Sequence, residues 1–194
     1  MRLLVRCVAI AVLSVALGAC AQKADVGNMV LGKTSVQAVA GSPLANALCI
    51  GAVTGGEATN PMWVSKVDNE GFRGALDGSL RNNGLLAPDS KNCKYDVNAN
   101  LLGLSQPIIG ISMTVTSNVN YSVLERPSGD PYFQTTVTKP YSAEFGAAFL
   151  GVKRLQIANE GSIRTNIGTF IDQLLSHKLE PRSAGQSENG KPTS

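Results

Sequence analysis

The stretch Ile109–Val123, IGISMTVTSNVNYSV, decides the fold of this 194-residue chain. Apolar and polar residues alternate along it, with the period of two that is typical of a strand with one buried and one solvated face. Only Ser117 interrupts the apolar series. Turn residues follow at Pro127–Pro131, and Phe133–Thr138 has the composition of a partner strand, so the sequence predicts an antiparallel hairpin.

Two further strands are predicted before this hairpin. Ala47–Val53 is a short apolar run that ends at a pair of glycines, and Tyr95–Leu101 alternates apolar residues with Asp and Asn. The second of these strands therefore also has one wet face.

A helix is predicted between these two strands. Asp68 or Asn69 can cap it, and Asn83-Gly84 is a suitable end. One face carries the residues with helical spacing, Phe72, Ala75, Leu76, Ser79 and Leu80. Three interior glycines, Gly71, Gly74 and Gly78, each weaken the helix by up to ~1 kcal/mol, so it must be held by packing, close against a sheet.

A long final helix is predicted with Ser142 as its cap. Its first buried face is Phe145, Phe149 and Val152, and its second is Ile163, Ile167, Phe170, Ile171 and Leu174. The order of elements predicts an α+β fold: a mostly antiparallel sheet with about two helices packed on one face. The other face of the sheet would be rich in Asn, Ser and Thr.

The N-terminus has the pattern of a secretory signal. Arg2 and Arg6 precede the apolar run Cys7–Leu17, which is too short to span a bilayer. The residues Leu17-Gly18-Ala19-Cys20 resemble the lipobox of bacterial lipoproteins. The alternative is an ordinary secreted protein in which Cys20 forms a disulfide.

The lipobox resemblance implies a signal peptide over 1–19 and a diacylated Cys20 as the attachment to a membrane. Two or more acyl chains hold a protein firmly, whereas one is marginal. By the same resemblance, Ala21 is not the aspartate that commonly retains lipoproteins in the inner membrane. This favours the outer membrane, with the protein facing the periplasm.

Composition divides the remainder of the chain. Residues 20–45 are rich in small residues and are predicted to be the lipidated N-terminus and a tether. Residues 46–178 are predicted to form a single α+β domain. Residues 179–194 have no apolar residue larger than proline after Leu179 and are predicted to be disordered.

Cysteine usage predicts one disulfide. With Cys7 removed and Cys20 lipidated, Cys49 and Cys93 remain, and two such cysteines usually pair in an oxidising compartment. The alternative is two buried free thiols. A zinc site is not expected, because the chain has no CxxC motif and His177 is its one histidine.

Charge and motifs argue against several functions. Without Arg2 and Arg6, the 17 basic residues become 15, against 14 acidic ones. No basic cluster remains to bind nucleic acid. There is no nucleophile elbow, phosphate loop or dinucleotide fingerprint, so we expect no catalytic residues, no cofactor and no enzyme activity.

The final helix carries the densest polar group. Glu160, Arg164 and Asn166, next to Gly161, form a candidate partner-facing patch, with Glu160 and Arg164 spaced to pair as i, i+4. The alternative is a plain solvated helix surface. Trp63 is a further candidate interface anchor if it is exposed, and a core residue if it is not.

The layout, with its segment Phe72-x-x-Ala-Leu-x-x-Ser-Leu80, is similar to small periplasmic auxiliary lipoproteins of ABC-type envelope transport systems and to lipopolysaccharide-assembly lipoproteins. The resemblance implies a non-catalytic accessory component that binds an envelope protein partner. The alternative is a binding module for a lipid or another apolar ligand, held between helices and sheet.

Overall fold

The computed structural model describes residues 23–33, 39, 42–58, 66–107 and 110–177. Cys20, Trp63, Ile109 and the predicted tail 179–194 lie outside these residues. The elements, in chain order, are a helical turn α1 (Val26–Met29), β1 (Leu48–Thr54), α2 (Asn69–Asn82), β2 (Tyr95–Ser105), β3 (Met113–Glu125), β4 (Pro131–Ala143) and α3 (Gly151–Ser176). Short 3-10 turns lie at Ser90–Asn92 and Phe145–Ala147.

The four strands form one sheet in the order β1-β2-β3-β4. β1 is parallel to β2, and the other neighbours are antiparallel. The parallel pair requires a crossover, which the chain makes through α2. The sheet is therefore mixed but mostly antiparallel, and the predicted α+β class is confirmed.

The two faces of β3 are as predicted. Val115, Val119, Tyr121 and Val123 are fully buried on the side of the helices, as is Ser117, and the residues that alternate with them are exposed or half-buried. The strand is shorter than the alternation indicates, and Ile111 is 77% exposed. The reason is a bend at Ile111 and Ser112, so that the chain enters the sheet only at Met113.

The predicted cap, buried face and C-terminal end of helix α2 are confirmed. The Asp68 carboxylate accepts a hydrogen bond of 2.6 Å from the Gly71 N–H, and Gly84 leaves the helix with φ of 67°. Its glycines, however, face α1 rather than the sheet. A Cβ on Gly74 would lie 3.0 Å from a methyl group of Val26.

The predicted start of the final helix is wrong. Ser142 lies in β4, where its hydroxyl hydrogen-bonds that of Thr114 across the sheet. β4 continues to Ala143 because it pairs with the whole of β3, and α3 begins only at Gly151. Phe145 and Phe149, expected in the core, are 58% and 91% exposed. The second predicted face is confirmed, since all of its members are fully buried: Ile163, Ile167, Phe170, Ile171 and Leu174.

Residues 23–33, which composition assigns to the tether, pack on the domain. Asp25 caps α1, and Met29 is fully buried between this segment and the helices. Leu44 is also buried. The folded region therefore begins well before residue 46, because these apolar side chains complete the core instead of lying in solvent.

The core fills the space between the helices and the sheet. The Tyr121 and Phe170 rings stack with centroids 4.1 Å apart at its centre. The predicted disulfide between Cys49 and Cys93 is present, with Cα atoms 5.6 Å apart, and it ties β1 to the residues before β2. Within the described ranges, the helices fall short of the length and apolarity needed to cross a bilayer.

Candidate functional site

The structure places Glu160 in the interior, not on a surface. Its side chain is 3% exposed. One carboxylate oxygen accepts hydrogen bonds from the Asp25 N–H at 2.8 Å and the Gln156 amide at 2.8 Å, and the other accepts from the Asn28 amide at 3.0 Å. The expected surface pairing with Arg164 is therefore wrong, because the N-terminal segment covers this part of α3.

Arg164 is half-buried on the neighbouring part of the same face. Its guanidinium donates a hydrogen bond to the Asn28 carbonyl and lies 5.8 Å from the centre of the Tyr141 ring. Arg164 and Glu160 thus both bind α1. Gly161, expected to admit a partner, is instead covered by the Tyr141 ring, which occupies the space a side chain would need.

Asn166 is fully buried and holds α3 to the sheet. Its Oδ1 accepts from the Tyr121 hydroxyl at 2.9 Å, and its Nδ2 donates to the Val137 carbonyl at 2.8 Å and to Ser117 Oγ at 3.1 Å. Burial raises the pKa of Tyr121 well above its ordinary value, so the phenol keeps the proton that it donates. Asn166 is a structural residue and is unavailable to a partner.

Ser117 belongs to the same buried network. Its backbone N–H donates to Ser162 Oγ at 2.9 Å, and the two hydroxyls are 2.8 Å apart. This explains the single polar interruption in the apolar face of β3. That interruption, together with Ser162 and Asn166 spaced four apart on α3, is the sequence signal that indicates a buried polar contact.

We define the N-terminal clasp as residues 23–33 together with the three α3 side chains that bind them, Gln156, Glu160 and Arg164. Its other wall is α2, where the Ser79 hydroxyl accepts from the Leu31 N–H at 2.9 Å. A Cβ on Gly78 would lie 2.8 Å from a methyl group of Val30, so glycine permits this approach. The clasp fixes the part of the chain that leads to Cys20.

The side of the sheet opposite the helices carries side chains that pair across the strands. We call this the open face. Hydrogen bonds join Asn120 to Thr136 at 3.0 Å and Thr138 to Asn118 at 3.3 Å. Most side chains of this face are uncharged and polar, and Pro140, opposite Thr116, also lies on it. The polar members are Asn98, Asn100, Thr114, Thr116, Asn118, Asn120, Ser122, Gln134, Thr136, Thr138 and Ser142.

An ion pair bounds one end of the open face, and an arginine covers backbone carbonyls at its β1 edge. Near the β3–β4 turn, the Asp96 carboxylate pairs with the Arg126 guanidinium, and this hydrogen bond raises the pKa of Arg126. At the β1 edge, Arg73 of α2 donates to the carbonyls of Gly51 at 2.6 Å and Ile50 at 3.2 Å. β1 is thereby blocked as a site for strand addition.

A second exposed surface lies where β3 begins, β4 ends and α3 begins. We call it the apolar tip. Its members are Ile111, Phe145, Phe149 and Leu150. Sequence reasoning placed the two phenylalanines in the core, because their spacing fits a helix face. The tip lies beyond the last β3–β4 pair, Met113 with Ala143, where the sheet no longer covers them.

The described residues do not include a group of three or more His, Cys, Asp and Glu side chains placed to hold a metal ion. His177 ends α3 in solvent, with its ring 5.1 Å from the Phe133 ring and 5.6 Å from the Tyr132 ring. It is therefore a ring-packed residue at a helix end.

No family model and no curated protein matches this chain. Solved structures do. A DUF330-family protein from Xanthomonas campestris covers 75% of this chain and 90% of its own length, with a TM-score of 0.52 and 9% identity. A minor lipoprotein from Acinetobacter baumannii is 14% identical, covers 69% of this chain and 93% of its own, and has a TM-score of 0.43. At this level of identity, the first likeness is one of fold.

Proposed function

We propose that this protein is a non-catalytic lipoprotein, anchored through lipid on Cys20 to the periplasmic side of the outer membrane. In this proposal it binds an envelope protein and serves as an accessory component of an envelope transport or assembly system. The lipobox sequence supports the anchor. The N-terminal clasp begins at Lys23, three residues after Cys20, so an anchor at Cys20 would hold the domain close to the membrane.

The open face is the observation that carries the protein-binding part. Amide and hydroxyl groups both donate and accept hydrogen bonds, so they suit the mixed donors and acceptors of a protein surface. Their lack of charge is poorly suited to a phosphate backbone. On the opposite side of the same strands, helices cover the sheet, whereas the described elements leave this side open.

We therefore propose the partner surface on the sheet and not on α3, where it was predicted from the sequence. Glu160 and Asn166 are engaged inside the fold, whereas Asn120 and Thr136 are exposed at the middle of the open face. Both lie in long strands paired along their whole length, so the surface is rigid.

A lipid carrier is the less favoured alternative. A lipid between helices and sheet needs a cavity of several hundred Å³. That space is filled by side chains that are fully buried, including Phe72, Leu76, Tyr121 and Phe170. A cavity of about 60 Å³ beside Val67 and Leu101 is too small for an acyl chain.

Fractionation of cells tests the anchor. We expect the wild type in the membrane pellet and Cys20→Ser in the soluble fraction, since the acyl chains supply the attachment. Intact mass of the purified wild type should show a diacylated or triacylated N-terminal cysteine. A Cys20→Ser form that stays in the membrane, or an unmodified Cys20, would contradict the proposal.

Site-specific photocrosslinking tests the open face. A benzophenone amino acid replaces Asn120 in one variant, and Arg81 on the outer side of α2 in the control. We expect a discrete protein adduct from position 120 in intact cells, and none from position 81. Adding Thr136→Lys should abolish the adduct by placing an ammonium group in the interface, with little change in melting temperature. An adduct that persists in Thr136→Lys, or equal adducts from both positions, would remove the open face as the partner site.

A further inference from the structure

The apolar tip exposes four large apolar side chains. Phe149 is 91% exposed, Ile111 77%, Phe145 58% and Leu150 42%. Ile111 lies two residues before the first β3–β4 pair, and Phe145 two residues after it, so both lie at one end of the sheet, and Phe149 and Leu150 directly precede α3 at that end. Clustered apolar exposure of this kind marks a surface that contacts a protein or a membrane.

The tip is a built surface. Arg154, which is 6% exposed, donates from Nη1 to the carbonyls of Ala148 at 2.8 Å and Phe149 at 3.0 Å. Its guanidinium also lies 5.1 Å from the centre of the Phe145 ring. The residues between β4 and α3 are thereby held in one shape, with both phenylalanine rings directed away from the core.

The N-terminal clasp ends beside this tip. The Lys23 carbonyl accepts a hydrogen bond of 3.1 Å from the Gln156 amide. Gln156 lies six positions after Leu150, which is about 9 Å along the axis of α3. The described chain therefore begins at the same end of the molecule at which the tip is exposed.

The distance from this point to the anchor is short. Cys20 precedes Lys23 by three residues, which span at most ~10 Å when fully extended. A bilayer that holds the acyl chains on Cys20 thus lies within reach of Phe149 and Leu150. Lys23 and Lys153 are exposed on the same side, where ammonium groups suit lipid phosphates, with Glu144 as an acidic neighbour.

We propose that the apolar tip, led by Phe149 and Phe145, inserts into the interface of the same bilayer that carries the lipid on Cys20. The inference rests on the proposed lipid anchor. The tip and the anchor then form two contacts with one membrane, and the domain stands on it with the β3–β4 turn pointing away.

Tryptophan quenching in vesicles tests this contact. The lipidated full chain, in a Trp63→Phe background, carries Phe149→Trp as the reporter and Ser128→Trp, in the β3–β4 turn, as the matched control. Vesicles contain phosphatidylethanolamine and phosphatidylglycerol, with or without brominated acyl chains. We expect blue-shifted emission that is lost on bromination for Phe149→Trp, and unchanged emission for Ser128→Trp.

The outcomes separate the tip from the anchor. Unquenched emission from Phe149→Trp on protein that floats with the vesicles would overturn the inference and leave the anchor intact. Protein that lacks acyl chains and does not float would overturn the proposed function, and the inference with it. In cells, a benzophenone amino acid at position 149 of the otherwise native chain should yield a phospholipid adduct. A protein adduct instead would assign the tip to a protein partner and overturn the inference.

Discussion

The Glu160 carboxylate and the backbone N–H of Asp25 are joined by a hydrogen bond of 2.8 Å across 135 positions of the chain. The residue that sequence reasoning assigned to an outward patch thus fixes the start of the folded region. Because the carboxylate also binds the side chains of Asn28 and Gln156, it is the centre of the N-terminal clasp.

Glu160→Ala should destabilise the protein far more than an exposed carboxylate change. The variant loses three hydrogen bonds to a charged group and leaves the Asp25 N–H without its acceptor, so we expect a loss of about 2–4 kcal/mol in the free energy of unfolding. Asp77→Ala, which breaks an exposed pair with Arg81, should lose less than about 1 kcal/mol. Urea unfolding measures both, and hydrogen exchange at residues 25–31 should rise only in Glu160→Ala. Equal losses would contradict the clasp.

Asn166→Ala should expose the energetic coupling between α3 and the sheet. It leaves the buried Tyr121 hydroxyl without an acceptor and opens a small cavity, so we expect a loss of about 2–4 kcal/mol. Tyr121→Phe alone should lose less, and the double variant should lose less than the sum of the two, with a coupling of about 0.5–3 kcal/mol. Strict additivity in denaturant unfolding would rule out this pairing.

The two faces of β3 should respond oppositely to a charge. Val115→Asp buries a carboxylate in a fully buried position, at a cost of about 3 kcal/mol or more. Thr114→Asp lies next to it on the open face and should stay within about 1 kcal/mol of the wild type. Thermal melts compare the two variants. Equal losses of stability in the two variants would mean that the open face is covered rather than exposed.

The pair Cys49→Ala/Cys93→Ala should remove a long cross-link. The bond closes a sequence separation of 44, for which chain entropy predicts a loss of about 4 kcal/mol. Peptide mapping without reductant should recover the two cysteines as one linked species in the wild type. Alkylation of both thiols in untreated protein would show that they are free.

Gly78→Leu should displace the N-terminal segment. A Cβ there already crowds Val30, so a larger side chain cannot fit while the segment stays in place. We expect a net loss of stability even though leucine favours a helix by up to ~1 kcal/mol over glycine. Asp77→Leu, one position earlier and facing solvent, is the control. Faster proteolysis within residues 23–33 of Gly78→Leu alone would support the result, and unchanged proteolysis would contradict it.

Local patterns predicted the elements whose cause is local. Asp68 caps α2 three residues before the N–H that it binds, and the alternation of β3 lies within the strand itself. The end of β4 was not predictable in this way, because its length is set by pairing with Met113 in another strand. From the sequence, Ser142 was therefore predicted to cap a helix, and Phe145 was predicted to be a core residue.

The predicted partner patch on α3 was wrong for the same reason, because the contacts of its residues are not local. Glu160 and Asn166 are polar residues on a helix, and their partners lie 135 and 45 positions away. From the sequence alone, such side chains are indistinguishable from solvated ones. The glycines of α2 did predict a close approach, but the approaching chain is α1, whose residues were assigned to a tether by composition.

The hydrogen bond between Lys23 and Gln156 has a consequence for how a partner is found. With the anchor proposed at Cys20, the linker between the lipid and the folded domain is very short. The domain therefore cannot move far from the bilayer surface. In the proposed orientation the domain rises above the bilayer by about the length of β3, which is about 44 Å for 13 residues. We therefore expect the open face to meet the proposed partner by lateral diffusion in two dimensions, within a layer of that depth and with the same side presented at every encounter.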